Sequence, residues 1–184
     1  MTRNYLSLVI ARLLILVLLG CAVTYAQDNG AIIKDFQDRV NRYVSLKNNQ
    51  GVQNKQSNSA NKLAQQKQQA VDKTQSARPA AKQGDIFSPQ IAAYFKKQIA
   101  ATLHGPDGNK VQASLRRAEP VPNIHLEVNA QYPKTLPLQS TPPTLLLNLP
   151  QLPKGLEYRV VGSALVLFDE SSNLIVDFVP SAIA

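Results

Sequence analysis

Apolar residues recur every three or four positions between residues 31 and 46, which is the period of an amphipathic helix. The apolar side chains would form one stripe, made of Ile32, Ile33, Phe36, Val40, Tyr43, Val44 and Leu46. Charged residues of both signs occupy the opposite face. A helix that binds a membrane surface usually carries an excess of lysine on its polar face, so we expect this stripe to pack against the rest of the fold or a partner helix.

A second helical pattern starts after Ser88 and predicts a buried stripe of Ile91, Tyr94, Phe95, Ile99 and Leu103. We predict that Ser88 is the N-cap and that its hydroxyl accepts a hydrogen bond from an amide of the first turn. Pro89 fits the first helical position, where a missing amide costs nothing. Gly105 and Pro106 should end the helix, with His104 near its carbonyl end, where a cation is favoured.

Three short apolar or alternating runs near the C-terminus predict strands at residues 156–161, 164–169 and 174–179. Loops of two and four residues separate them, and both lengths suit hairpins, so the strands should form an antiparallel meander. So small a sheet needs a helix on its apolar face, for which the helix after Ser88 is the candidate. The alternating run at 123–130 predicts one additional short strand that leaves its histidine exposed.

The segment between these strands, residues 132–155, is rich in proline and leucine. Proline removes backbone donors and fixes φ, so we predict an irregular, extended wrap with a single helical turn at 144–149. Because apolar residues are interleaved with the prolines, we expect the leucines of this segment to be buried against the sheet rather than to serve as a ligand for a partner.

Positive charge is concentrated in residues 46–84, which carry seven Lys and Arg residues against one Asp. Most other residues of this segment are Gln, Asn, Ser and Ala. Since little apolar surface can offset the loss of chain entropy, residues 48–82 are predicted to form a flexible linker or an exposed helix. The lysines are loosely spaced and lack aromatic neighbours, so nucleic acid is not an expected partner. Residues 120–184 carry three Lys and Arg residues against five acids.

The first 26 residues have the order of a secretory signal peptide: positive charge, an apolar run, and small residues before a polar stretch. Arg3 and Arg12 precede the apolar run 13–19, and Ala26 precedes the polar residues 27–29, so we predict cleavage after Ala26. A membrane-spanning helix would need about 20 consecutive apolar residues, and the apolar stretch that ends at Ala26 is shorter than that. The processed protein should therefore be periplasmic or secreted.

An alternative is lipidation at Cys21, because residues 18–21 resemble the site at which bacterial lipoproteins are cut and acylated. Leu19 and the apolar residues 22–25 fit that motif poorly. We therefore expect a membrane tether only if Cys21 is lipidated. With cleavage after Ala26, the processed chain has no cysteine and so no disulfide. Its net charge would be +6, from 18 Lys and Arg residues against 12 acids.

These patterns together predict an α+β protein in four segments. Residues 1–26 are the signal peptide and 27–47 an amphipathic helix. Residues 48–82 are the polar, basic linker or exposed helix, and 83–184 form a compact α+β domain. We expect this domain to contain the antiparallel sheet packed on the helix after Ser88.

No residue combination in the sequence indicates an enzyme, a cofactor site or a metal site. His104 and His125 lie in separate predicted elements, and the motifs of common hydrolases and phosphate-binding loops are missing. Asp85, three residues before Ser88, is interpreted as a turn residue, because this lone carboxylate has no acid, base or metal partner nearby. Residues 105–110 lack the alternating acidic ligands of a calcium loop, so they are interpreted as a turn into a helix.

Residues 36–48, 81–95 and 132–183 resemble a family of hypothetical small secreted proteins of soil bacteria. That resemblance implies no activity, substrate, cofactor or site residue. The hairpin region 158–179 also resembles the C-terminal part of a family linked to nickel and cobalt efflux. This second resemblance implies a role in metal homeostasis, although the chain lacks a histidine cluster.

Three classes of function follow from the sequence. The first is an exported, non-enzymatic accessory of the cell envelope, which the signal peptide and the lysine-rich segment favour. Its partner would be an envelope protein or an anionic envelope polymer, and we identify no small-molecule substrate. A periplasmic accessory of the metal-cation response is one alternative. A hydrolase with no recognisable motif is the other.

Overall fold

The computed structural model describes residues 29–49, 59–117, 124–133, 135–137 and 139–183. The predicted signal peptide with Cys21 lies outside these residues. Helix α1 covers residues 29–49, and it is followed by α2 (Ala60–Ala77), α3 (Pro89–Leu103), α4 (Gly108–Arg117) and α5 (Pro143–Leu146). Three strands complete the described chain, namely β1 (Leu156–Val161), β2 (Ala164–Asp169) and β3 (Leu174–Val179). The predicted α+β class is confirmed.

The strands form an antiparallel sheet in the order β1-β2-β3, with the boundaries predicted from the sequence. Gly162 adopts a φ of 58° in the two-residue turn between β1 and β2, a conformation that glycine tolerates without strain. The register between β2 and β3 shifts between Leu167 and Phe168, which leaves Val176 without a residue opposite it. The sheet therefore has a bulge just before Asp177.

One face of the sheet packs on helices α1 and α3. Phe36 of α1, Phe95 of α3 and Tyr158 of β1 contact one another, with ring centroids between 4.9 and 6.5 Å apart. Val40 and Tyr43 of α1 belong to the same buried cluster. The core therefore extends beyond the domain predicted at 83–184, whose boundaries stay a prediction.

The other face of the sheet is covered by irregular chain in residues 124–133 and 135–137. Tyr132 packs there on Phe168 and Ile175, and Ile124 and Leu126 of the segment contact the same cluster. With both faces covered, every residue of β2 is buried. A strand buried on both faces reads as a continuous apolar run, as the sequence of β2 does.

The strand predicted at 123–130 is wrong for the residues of this range that the structure describes, 124–130, which form no strand. Asn129 has a φ of 66°, so the chain turns where an extended strand would have to continue. The chain contacts the sheet nearby through an isolated bridge between Gln131 and Leu174 and through backbone hydrogen bonds of Asn129 and Ala130 with Ile175. His125 is exposed, as predicted.

The basic segment was predicted to be either a flexible linker or an exposed helix. Within it, Ala60–Ala77 form α2, a helix that is mostly exposed. Its C-terminal half nevertheless packs on the fold, because Ala70, Val71 and Thr74 are buried. The side chain of Gln75 donates a 2.8 Å hydrogen bond to the carbonyl of Asn129. Among the described helices, none is long and apolar enough to cross a membrane.

Helix α3 begins at Pro89 and ends at Leu103, as predicted, but the capping role assigned to the Ser88 side chain is wrong. Ser88 occupies the N-cap position, and only its backbone carbonyl takes part, accepting a 2.8 Å bond from the amide of Ala92. The loop before the helix is held instead by a carboxylate from β3, Asp177.

Candidate functional site

The carboxylate of Asp177 is fully buried and is saturated by backbone donors. Its two oxygens accept hydrogen bonds from the amides of Gly84, Ile86 and Phe87 at 2.8 to 3.1 Å. The amide of Phe178 is a fourth donor, at 2.8 Å. Four donors compensate for the burial of the charge, so this group ties the loop before α3 to the sheet.

A second buried carboxylate, Asp169, joins α1 to the end of β2. It accepts hydrogen bonds from the hydroxyl of Tyr43 at 2.7 Å and from the ammonium of Lys47 at 2.9 Å. The hydroxyl and amide of Ser171 are further donors, at 2.6 and 2.9 Å. Burial by itself would raise the pKa of Asp169, but the bond from Ser171 and the charge of Lys47 outweigh it and hold the pKa below its ordinary value.

The pKa of Tyr43 is shifted in the opposite direction by the same surroundings. Its burial and the neighbouring Asp169 carboxylate both raise the pKa of the phenol. The hydroxyl therefore stays protonated and donates to Asp169. The guanidinium of Arg78, which follows α2, lies 5.1 Å from the centre of the Tyr43 ring. This cluster connects α1, β2 and the residue that follows α2. The carboxylate of Asp169 has its hydrogen bonds supplied by donors of the protein itself.

The residues considered for chemistry at the sequence level are not brought together. Asp85 accepts a 3.0 Å hydrogen bond from the backbone amide of Lys82, so the carboxylate closes a turn as predicted. His104 ends α3, and its Nδ1 lies 2.8 Å from the carbonyl of Ala100. His125 belongs to the segment that covers the far face of the sheet. No group of three or more potential metal ligands occurs within the described residues.

Helices α3 and α4 pack against each other and form a strongly basic surface, which we call the basic hairpin. Neither helix contains an acidic residue. Lys96, Lys97, Arg116 and Arg117 are exposed, and none of them has an ionic partner among the described residues. Lys110 differs, because it pairs with Asp107 at 2.8 Å.

On α2, Lys62, Lys67 and Lys73 are likewise exposed without an ionic partner among the described residues, whereas α1 is more nearly neutralised. On α1, Lys34 pairs with Asp38 at 2.7 Å and Arg39 with Asp35 at 3.0 Å. Residues 59–117 as a whole carry ten Lys and Arg residues against three Asp, whereas residues 124–183 carry three against five acids. The positive field of the molecule is therefore concentrated on its helical side.

Both helices of the basic hairpin are anchored in the core. Phe95 and Ile99 of α3 have no exposed surface, and Val111 of α4 is buried in the same core. Gly108 starts α4 so close to α3 that a Cβ atom at this position would lie 2.0 Å from the carbonyl oxygen of Leu103. Lys96 and Lys97 thus project from a helix that is anchored in the core.

Beside the hairpin, two exposed leucines lie at the end of helix α5: Leu146, its last residue, and Leu147, its C-cap, which together we call the leucine tip. Leu147 is 85% exposed and Leu146 is 40% exposed. The prediction that the leucines of this segment are buried holds for Leu145 and Leu149 and is wrong for the tip. A single helical turn has to point some of its side chains outward when it packs by one face.

A groove of about 570 Å³ follows the outer edge of β1 and reaches the leucine tip. Leu146, Leu149 and Leu152 line one side. At the polar end Arg159 forms an ion pair with Glu157. The pKa of Glu170 is raised there, because it shares a hydrogen bond with Glu157 and is partly desolvated. The Nε of Arg159 is buried at this end without a hydrogen-bond partner among the described residues.

Sequence reasoning missed the two buried aspartates and the link formed by Asn129. Asp177 stands inside the apolar run of β3, and acidic residues are rare in strand interiors, so its position was a usable signal for a buried partner. Asn129 carried a weaker signal, because asparagine tolerates positive φ. Nothing local in the sequence predicts which amides Asp177 binds, because they lie about 90 residues away.

Comparison with known proteins finds no protein-family model, no curated protein and no solved structure that matches this chain. The two resemblances noted from the sequence therefore stay predictions. A proposal for function has to rest on the residues and the geometry of this chain.

Proposed function

We propose that the protein is an exported, non-enzymatic accessory of the cell envelope that binds an anionic envelope polymer through its basic hairpin. One observation carries this proposal: Lys96, Lys97, Arg116 and Arg117 are exposed on two adjoining helices and have no ionic partner within the described chain. Unpaired cations that are held on a rigid surface attract a polyanion without first breaking internal ion pairs.

The electrostatics support a polymer rather than a small anion. The cations are spread over two helices instead of converging on one pocket. Each such contact in high dielectric is worth little alone, and several act together along a chain of repeated negative charges. Binding of this kind weakens steeply with salt, because exposed charges are screened within about 10 Å at 0.1 M ionic strength.

The carboxylates support a non-enzymatic role. Asp169 and Asp177 are occupied by structural donors, and Asp85 closes a turn. A general base needs a free lone pair aimed at a substrate, which these groups do not offer. The described residues give no separate observation in favour of a metal-cation accessory or a hydrolase, so we do not propose either. Export is supported by the signal-peptide pattern of residues 1–26.

The experiment is retention of the processed protein, purified from an exporting host, on a column of a sulfated polysaccharide such as heparin. The double variant Lys96→Glu with Lys97→Glu should elute at clearly lower salt than the native protein. The matched control is Lys62→Glu with Lys67→Glu, which changes the net charge equally at exposed positions of α2. If both variants elute together, retention reflects net charge alone and the basic hairpin is not the binding surface.

A further inference from the structure

The leucine tip is the most exposed large apolar feature of the described chain. The exposed large apolar residues there are Leu63, Leu146 and Leu147, so two of them are neighbours on one turn. Single exposed leucines are common on protein surfaces, whereas an adjoining pair on a projecting turn gives a partner an apolar surface to cover.

The tip is held in place by its own anchors. Leu145 has no exposed surface and Leu149 is buried, so the residues on both sides of the tip are fixed in the core. Pro142 and Pro143 precede it and restrict the backbone. The side chain of Asn148 donates a 3.1 Å hydrogen bond to the hydroxyl of Thr102 on α3. Ordering the tip on a partner would therefore cost little entropy.

The tip adjoins the basic hairpin. Thr144 and Asn148, which flank it in sequence, share a surface cleft of about 240 Å³ with Ala101 of α3 and Asp107 before α4. Lys97 lies four residues before Ala101 and hence on the same side of α3. The side of α3 that carries the unpaired Lys97 thus faces the segment that carries the leucine tip.

We propose that the leucine tip inserts into the interfacial region of an anionic lipid bilayer while the basic hairpin binds the headgroups. This inference rests on the proposed function, because it uses the same basic hairpin, and it adds the anionic membrane surface as a partner, since a polysaccharide offers negative charge but little apolar volume. A bilayer offers both, and peripheral binding generally needs both an apolar and an electrostatic contribution. This contact does not depend on lipidation of Cys21.

The first test uses a fluorescent reporter in the processed protein. The chain contains no tryptophan, so Leu147→Trp introduces a single indole. Its emission should shift to shorter wavelength when vesicles of phosphatidylglycerol and phosphatidylcholine are added. Pure phosphatidylcholine vesicles should produce no shift. Leu63→Trp, at an exposed position of α2, is the matched control and should stay unchanged with both.

The second test separates the tip from the charges. Leu147→Ser should weaken vesicle binding about tenfold through lost apolar burial and leave retention on heparin unchanged. The control Leu63→Ser should alter neither.

Unchanged vesicle binding in Leu147→Ser would overturn the insertion while leaving the basic hairpin as the polymer site. Equal binding to both vesicle types would also overturn it, as would a Leu147-dependent dimer that ignores vesicles. Charge reversal at Lys96 and Lys97 that affects neither partner would contradict the proposed function itself.

Discussion

At the scale of single residues, buried carboxylates connect the helices to the sheet. Asp177 organises the loop before α3, and Asp169 receives Tyr43 and Lys47 from α1. Both groups are fully buried in the fold. A buried charge is tolerated only when its hydrogen-bond donors are in place. The fold is therefore stable only while the distant segment that supplies those donors stays in position.

Removing the Asp177 carboxylate, which accepts hydrogen bonds from the loop, should lower the free energy of unfolding far more than removing the Ser88 hydroxyl. Asp177→Ala would leave the amides of Gly84, Ile86 and Phe87 buried without an acceptor, and we expect it to cost about 3 kcal/mol or more. Ser88→Ala should cost less than about 0.5 kcal/mol, since the hydroxyl makes no capping bond. Urea unfolding of both variants measures the difference, and similar costs would show that the loop is held in another way.

Acid should destabilise the protein in part through Asp169. Its pKa is lower in the folded chain than in the unfolded chain, so its contribution is complete above an ordinary aspartate pKa of about 3.9 and is lost as pH falls through the folded value. Lys47→Met removes a charge and a hydrogen bond that lower the folded pKa, so the variant should lose less stability on acidification, and over a narrower range that ends at higher pH. Unfolding free energies measured from about pH 2 to 7 check this. Superimposable pH profiles of variant and native protein would refute it.

At the scale of elements, close contact at a glycine determines how α3 and α4 meet. Gly108 lies against the carbonyl of Leu103, with no room for a side chain. Periodicity predicted α1, α3 and the three strands, because their buried faces repeat with a regular period. The packing of α2 was not predictable in the same way. Only three of its residues are buried, and the contacts that hold it, such as Gln75 to Asn129, join distant parts of the chain.

Gly108→Ala should destabilise the protein by about 1–3 kcal/mol, although alanine is the better helix former, because the new methyl group overlaps backbone atoms. Gly30→Ala is the matched control. It also lies in a helix, and a Cβ there meets nothing within 4 Å, so it should be neutral or stabilising. Thermal unfolding followed by circular dichroism distinguishes them. A neutral Gly108→Ala would mean that α4 can move away from α3 at little cost.

At the scale of the whole molecule, the helical side is basic and the sheet is buried on both faces. The α+β class and the excess of positive charge upstream of the sheet could be predicted from the sequence. The contribution of α1 to the core could not be predicted in this way, because Phe36 packs on Phe95 and Tyr158. Such contacts join residues more than 50 positions apart, which a local pattern does not encode. The exposure of Leu147 was unpredictable for the same reason.

Since α1 completes the core, Phe36→Ala should cost about 3–5 kcal/mol. The fragment 83–184 should unfold at a lower denaturant midpoint and with weaker cooperativity than the processed chain, because it lacks three buried side chains of the core. The exposed Arg42→Ala on α1 is the control and should change stability little. A fragment as stable as the whole chain would show that 83–184 is a self-sufficient domain.

If the basic hairpin is the binding surface, residue-resolved NMR of the processed protein during titration with heparin should locate the contact there. We expect the largest amide shifts on α3 and α4, around Lys96, Lys97, Arg116 and Arg117, and we expect them to reverse on addition of salt. Shifts that cluster on α2 or along the groove beside β1, with α3 and α4 unaffected, would contradict it.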